Sequence, residues 1–564
     1  MSIFQGFSIG IPLAYYNYKT LILLYIQEVI MYASYVIRNG EIVTVDGKNS
    51  IADTIAVYED KIVYVGDEQG ARSFTGPHTE MIDAQGKSVL PGFIDSHLHL
   101  DAIGTRMLYP DCREAACISD IQTIIRKEAE KYPKGTILRA FGYDHLNLKE
   151  RRHPNRWELD EAAPEHPVYI IHSSYHISAA NTKALALIGV DDNICDPEGG
   201  SYERIDGKVT GVAFENAHYN FYTKLDFSEE EIKSCLKTAD EYLLSRGITT
   251  VCSALDCALS VKALTELKRK NTLKIRVVTM PYPTGNPFVM DKYLNTGYHT
   301  GFGSDQCRIG PFKLMIDGSS LGGTAAMKRA DMKDQGFLAI DQDTLDRMML
   351  NAHLDGFQCT SHAIGDRAVE MLLTSYEKAF KALNRSDCRH RIEHCNFAPK
   401  SLIKKISQMG VIPIPQPAFL KEFGSTYYKI YGKQAEEIFP IKSFLKAGIC
   451  VSFSTDAPII DANPFVGMSA ACNRKSDEGL ILGKEERVTL KDAIRMYTYN
   501  GAYANFQENI TGSLEVGKKA DLVVLSDRIW EAAPENISKT SVTLTMIDGE
   551  IVYTKVKGGE SNER

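Results

Sequence analysis

The stretch S-V-L-P-G-F-I-D-S-H-L-H-L, Ser88 to Leu100, decides how the rest of the chain is read. Pro91-Gly92 breaks an extended apolar run, and the chain then sets His97 and His99 two residues apart. On a strand, where side chains repeat every two residues, both imidazoles face one side, as two ligands of one metal ion must. Two histidines alone are equally well explained as satisfied core residues, so the remaining sequence has to supply their partners.

From Ser228 onward helix and strand alternate. Ser228 and Glu231 form a capping box opening a helix that Gly247 ends, and I-T-T-V-C (248–252) follows as a buried strand. Further strand-like runs are K-I-R-V-V-T-M (274–280), P-F-K-L-M-I-D (311–317), F-Q-C-T-S-H (357–362), H-R-I-E-H-C (390–395), V-I-P-I-P-Q (411–416) and I-C-V-S-F-S-T-D (449–456). Helical patterns lie between most of them. One carries an apolar stripe of Val369, Leu372, Leu373, Tyr376, Phe380 and Leu383. With the H-x-H strand the set describes an α/β protein, a (β/α)8 TIM-type barrel over 87–511, with chemistry at the strand C-termini. An insertion at about 101–225 is expected to cover one end of it.

The two ends of the chain read differently. Residues 35–85 show short strands with Asn39-Gly40 as a hairpin signal; 520–525 and 541–553 show two more, with Asp548-Gly549 as another. Neither set closes a sheet alone, so 31–86 and 512–560 are expected to combine into a small composite β-sandwich. Residues 1–30 form an atypical extension. Its apolar run is interrupted by Asn17 and Lys19 and has no leading positive charge, so Met31 is the expected initiator.

Composition narrows the function. The 564 residues are 44% hydrophobic and 24% charged, with a net charge of −8, which gives no footprint for nucleic acid or anionic membrane. A small-molecule substrate is the expected partner, and a homo-oligomer stays open. Twelve cysteines without a C-x-x-C argue against a thiolate zinc site and suit a reducing cytoplasm.

The barrel reading places the unusual polar residues at strand ends: His97 and His99 on the first strand, Lys313 on the fourth, His362 on the fifth, His394 on the sixth, Asp456 on the eighth. Four imidazoles, an amine and a carboxylate at one mouth are a divalent-metal site in size and kind. Lys313, between Phe312 and Leu314, is rarely buried without a partner. A desolvated neutral amine adds carbon dioxide to become a carbamate, an anionic ligand able to bridge two cations. Asp456, in S-T-D-A-P, can hold a metal and also carry a proton from the attacking water to a leaving amine.

With P-G-F-I-D-S-H-L-H, K-L-M-I-D-G-S, H-A-I-G-D, R-I-E-H-C and S-T-D-A-P in this order, the chain resembles the amidohydrolase superfamily, in its family 3 branch of N-substituted formamide deformylase-like hydrolases. The resemblance runs from Met31 onward. It implies hydrolysis of an amide or formamide-type C–N bond at a centre of one or two divalent ions, commonly Zn2+. His97, His99 and Asp456 would hold one metal and His362 and His394 the other, with carboxylated Lys313 as bridge and Asp456 as general acid/base. Lys313, Asp317, Gly318 and Ser319 keep the family's spacing, which favours two metals. His176, Tyr143, Arg391 and Gln416 are candidate substrate contacts.

Three rivals remain. H-R-I-E-H matches a metalloprotease pattern, but that pattern needs a helix and this run reads as strand. A deaminase of the same superfamily uses one metal and a glutamate near the fifth-strand histidine, where this chain has Gly365-Asp366. A barrel kept as a non-catalytic binding protein would have little use for the full ligand set.

Overall fold

The computed structural model describes residues 32–174, 177–197, 200–225, 227–255, 258–281, 296–328 and 336–555. The expected extension 1–30, His176 and the Glu198-Gly199 turn lie outside them. Among the described residues no helix is long and apolar enough to cross a membrane.

Two parallel four-stranded sheets carry the centre of the molecule. One has the order Cys307–Ile309, Arg276–Pro281, Ile248–Leu255, Phe93–Leu98; the other has Phe312–Met315, Cys359–Ala363, Arg391–His394, Ile412–Ile414. The Lys313 stretch expected over 311–317 is the strand Phe312–Met315, paired with Cys359–Ala363, and a separate short strand just before Gly310-Pro311, Cys307–Ile309, pairs with Arg276–Pro281. A Cβ at Gly310 would meet Val278 at 2.4 Å, so only glycine lets the strands approach there.

The segment 449–456, expected as a strand, is extended but forms no regular ladder. The Ser452 and Ser454 amides donate to Pro413 and Pro415 carbonyls at 3.2 and 3.3 Å. On its other side Ser96 N donates to Phe453 O and Asp456 N to His97 O. Amide and carbonyl of one strand residue point the same way, so Pro413 and Pro415, lacking N–H groups, return no bond.

The outer helices begin and end where their sequence signals lie. Ser228 and Glu231 exchange both capping-box bonds at the start of Glu229–Ser245, and Gly410 closes Lys400–Met409 in the left-handed region. Asp366–Ala382 buries Val369, Leu372, Leu373 and Tyr376.

Residues 101–225, in which the run P-V-Y-I-I-H-S (167–173) is the one strand-like stretch by sequence, hold a five-stranded sheet in the order Gly200–Ile205, Lys208–Glu215, Ile177–Ala180, Val168–His172, Leu138–Tyr143. Both faces are covered: Leu138, Ala140, Val168 and Ile170 join one apolar cluster, Phe141, Tyr169 and Ile171 another. Burial on both faces removes the alternation that marks a strand in sequence.

Strands from the two chain ends share a six-stranded sheet, ordered Glu550–Thr554, Val542–Ile547, Leu522–Leu525, Ser88–Pro91, Glu41–Val43, Ile51–Ala52. It packs on a four-stranded sheet through Ile37, Ile55, Val57, Val89, Leu522 and Met546. Asp548-Gly549 makes the expected hairpin, with both φ positive, between directly paired strands. Asn39-Gly40 does not. Tyr35–Arg38 and Glu41–Val43 lie in different sheets, so this turn is a corner between layers.

Candidate metal centre

Phe93–Leu98 is buried at every position and delivers His97 into the interior; His99 follows at the start of the helix Leu100–Leu108. The strand and the 449–456 segment are fastened on both sides of the histidines. Asp95 accepts from Thr455 Oγ1 at 2.6 Å, while His99 N donates to Ala457 O. Burial pushes the Asp95 carboxyl up to about 7 against the hydrogen bonds it accepts from Thr455 and from the His97 amide.

His97 Nε2 and His99 Nε2 each lie 3.5 Å from Asp456 Oδ1. Metal–ligand bonds of about 2.0–2.1 Å put neighbouring corners of a tetrahedron roughly 3.4 Å apart, so these atoms fit one divalent ion of the zinc class. Lys313 Nζ is 3.0 Å from His97 Nε2. The His394 ring lies 5.1 Å from His97 and 4.5 Å from His362, centroid to centroid. The structure therefore brings all six side chains together. Asp317, whose carboxylate accepts from the amides of Ala326, Ile364 and Gly365, stands 3.5 Å behind His362 Nε2.

The protonation of His97 is set from behind. Glu393 Oε2 sits 2.5 Å from His97 Nδ1 with both side chains fully buried, and Arg391 and Thr360 grip the same carboxylate. A carboxylate on Nδ1–H leaves the Nε2 lone pair facing Asp456 and Lys313. Burial, then the Lys313 charge, holds His97 well below its ordinary pKa; burial, then His362, brings His394 down to about 4. Both are neutral near pH 7, as ligands must be. Burial opposes charge on Asp456, yet His99, His394 and His97 together hold it well below the usual carboxylate range. His394, Cys395 and Asp456 have positive φ, a strained backbone for non-glycine residues of the kind that collects at working sites.

The three described candidate substrate contacts, Arg391, Gln416 and Tyr143, fall apart in space and role. Arg391 is fully buried and spends its donors on Glu393 and the Ser96 carbonyl. Gln416 accepts from His394 Nδ1 at 2.8 Å and donates to Ile414 O and Ser454 Oγ. Tyr143 lies in the insertion sheet with its hydroxyl 3.0 Å from His153 Nδ1. Glu393 and Asp95 are further site residues that carry no ligand signature in the sequence. The signal for Glu393 is a pair of charges, Arg391 and Glu393, at strand period inside an apolar run.

A largely buried donor set of this kind, gathered at one end of the parallel strands, suits a metal-dependent hydrolase. The sequence profile of the amidohydrolase family matches residues 80–553, and the chain belongs to that family. It is 29% identical over 548 residues to an N-substituted formamide deformylase of Arthrobacter pascens, covering 92% of this chain and 98% of that protein. A metal-dependent hydrolase of Pyrococcus horikoshii superposes with a TM-score of 0.74 at 27% identity, over 89% of this chain and 98% of that one. The zinc complex of atrazine chlorohydrolase from Arthrobacter aurescens, at 15% identity and a TM-score of 0.53 over 92% and 95%, shares the fold alone. The fold is α/β and TIM-barrel-like, and the chain is a metal-dependent hydrolase of carbon–nitrogen bonds other than peptide bonds.

Proposed function

We propose that the chain hydrolyses the C–N bond of a small N-substituted formamide or related amide, with Asp456 as the proton carrier. The observation that supports this reading is the convergence of His97 Nε2 and His99 Nε2 on one oxygen of Asp456. The Asp456 carboxylate, favoured in its ionised form by the hydrogen bond from His99, accepts a proton from the attacking water at neutral pH. It returns the proton to the nitrogen as the C–N bond breaks, and the leaving group departs as the neutral amine. The formamide class is suggested by the A. pascens relative.

In this reading His97, His99 and Asp456 would hold one zinc-class ion and His362 and His394 a second, and Lys313, as a carbamate, would supply an anionic oxygen ligand. When bound, such an ion brings the pKa of water to about 7 and polarises a carbonyl. An ammonium 3.0 Å from His97 Nε2 would repel a cation. Addition of carbon dioxide to the Lys313 amine, with loss of a proton, replaces that charge by an anionic oxygen. The same proposal closes the central strands through 449–456 into a (β/α)8 barrel and makes the two chain ends a composite β-sandwich. The described cysteines are free, which suits a reducing cytoplasm.

The test is turnover of N-substituted formamides, N-acyl amides and cyclic amides by metal-stripped and zinc-restored protein. Formate and amine should appear only with metal while circular dichroism shows the fold retained. Ammonia released from an amino-heterocycle, with no amide turnover, would replace this reading by a deaminase.

A further inference from the structure

Gln416 is fully enclosed, and its side chain is committed to the protein instead of to a substrate. It follows the strand Ile412–Ile414, which pairs with the strand that ends in His394 and borders the 449–456 segment that ends in Asp456. Its Oε1 lies 2.8 Å from His394 Nδ1, and its Nε2 lies 2.7 Å from both the Ile414 carbonyl and Ser454 Oγ. Both polar atoms of the side chain are thereby occupied.

The direction of these bonds follows from the donors and acceptors involved. A backbone carbonyl only accepts, so the amide atom that meets Ile414 O is the nitrogen. Oε1 therefore faces His394, and an amide oxygen there requires the proton to sit on His394 Nδ1. In the neutral ring Nε2 then carries the lone pair. This ring lies 4.5 Å from His362 and 5.1 Å from His97, centroid to centroid.

We propose that Gln416 is the positioning residue of His394: its amide holds the imidazole proton on Nδ1 and so leaves Nε2 as the nitrogen offered to a metal ion. The inference rests on the reading of His394 as a metal ligand. His394 has a φ of 72°, outside strand geometry, so a regular ladder does not set the direction of its ring. The Gln416 contact does. Gln416 is itself held from the far side. Pro413 and Pro415 have no N–H to return to the 449–456 segment, and the bond from Gln416 Nε2 to Ser454 Oγ supplies a side-chain link across that edge. The arrangement parallels Glu393 behind His97, with a neutral acceptor in place of a carboxylate.

The test uses the full-length chain, with metal affinity read by competition with a chelator. Gln416→Met keeps the length of the side chain and removes the acceptor, so affinity for the ion that His394→Gln releases should fall about 10–100-fold. Gln416→Glu keeps an oxygen for Nδ1–H and should restore most of that affinity. Ser454→Ala cuts the link to the 449–456 segment but leaves Ile414 O to orient the amide, so it should bind metal as wild type does. If Ser454→Ala weakens metal binding as much as Gln416→Met and Gln416→Glu fails to restore it, Gln416 only ties the strands and the proposal is overturned. Nitrogen NMR of metal-stripped wild type carrying isotope-labelled histidine reads the tautomer without any change at Gln416. At neutral pH the His394 signal, identified by its loss in His394→Gln, should show the proton on Nδ1; a proton on Nε2 overturns the proposal. Unaltered affinity in folded Gln416→Met, while His394→Gln loses the ion, also overturns it and leaves the metal reading standing. If His394→Gln itself holds metal as wild type does, the metal reading falls and takes the proposal with it.

Discussion

His97 at the metal centre and His390 beneath the helix Gln342–Leu354 are both fully enclosed imidazoles held well below their ordinary pKa by burial, yet their nitrogens are used differently. His390 Nδ1 accepts from the Cys359 amide at 3.0 Å, so its Nε2–H donates to His353 Nδ1, and His353 Nε2–H donates in turn to the Leu383 carbonyl. Every nitrogen of that pair is spent. Cys388 stands close enough to complete a ligand-like trio, but burial raises its pKa, away from the thiolate a metal needs. At His97 the accounting differs: Glu393 takes Nδ1, and Nε2 faces Lys313 Nζ at 3.0 Å and Asp456 Oδ1 at 3.5 Å, both groups that are themselves candidate ligands. The candidate metal site is distinguished here by what the second imidazole nitrogen faces, other ligand-type side chains and not a backbone carbonyl or a second core histidine, and histidine clustering alone does not reveal it.

The largest effect that would break this contrast lies at Asp456. Asp456→Asn keeps the shape and removes the base, so kcat should fall by about 10²–10⁴-fold while Tm stays near wild type. Near wild-type turnover in a folded Asp456→Asn protein would end its role as proton carrier. The next effect tests the group behind the ligand. Glu393→Gln weakens the hold on His97 and leaves Arg391 without its buried counter-charge, so metal affinity, read by competition with a chelator, should drop about 10–100-fold. The same change at the other cluster, His353→Gln, should leave metal affinity unaltered. If Glu393→Gln binds metal as tightly as wild type, the carboxylate is ordinary packing and the two imidazole pairs are alike.

How much of this could be read from the chain depends on how local each signal is. The H-x-H strand, the Ser228–Glu231 capping box, the glycine that ends Lys400–Met409 and the Asp548-Gly549 hairpin are decided within a few residues, and each is in place. Asn39-Gly40 has the same local signature, and Asn39 does turn with positive φ; whether its flanking strands pair is settled by the sheets they join, far along the chain. For 449–456 the deciding residues are Pro413 and Pro415 on a neighbour. In the insertion sheet the apolar run at 167–173 reads as a strand and is one, Val168–His172, while its neighbours show no alternation because both faces are buried. At the site, the ligand types stand out as polar residues in apolar runs. Glu393 and Asp95 read as ordinary strand residues until their burial is known, since a carboxylate gains its role from what surrounds it.

Smaller effects sharpen the contrast from the side of the core pair. His390→Leu strands the Cys359 amide and His353 Nδ1, at a cost of about 1–3 kcal/mol for each group left unsatisfied, measured as a lower urea midpoint; metal content should not change. The smallest effect is in the pH dependence. In the folded chain burial, then His353, keeps His390 neutral well below its usual 6.5, whereas the unfolded chain titrates near 6.5. Below about pH 6.5 the unfolded state therefore binds a proton that the folded state refuses, so the His390 contribution to stability is complete above that pH and is lost progressively as pH falls. His97 and His394 share this direction, but a bound cation competes with their protons, which makes their part of the slope sensitive to chelator. His390 has no such competitor. His390→Leu should remove the same amount of acid slope from metal-loaded and chelator-treated protein. A difference between those two amounts, in urea melts collected from about pH 7 to about pH 5, would mean that the core pair answers to the metal after all.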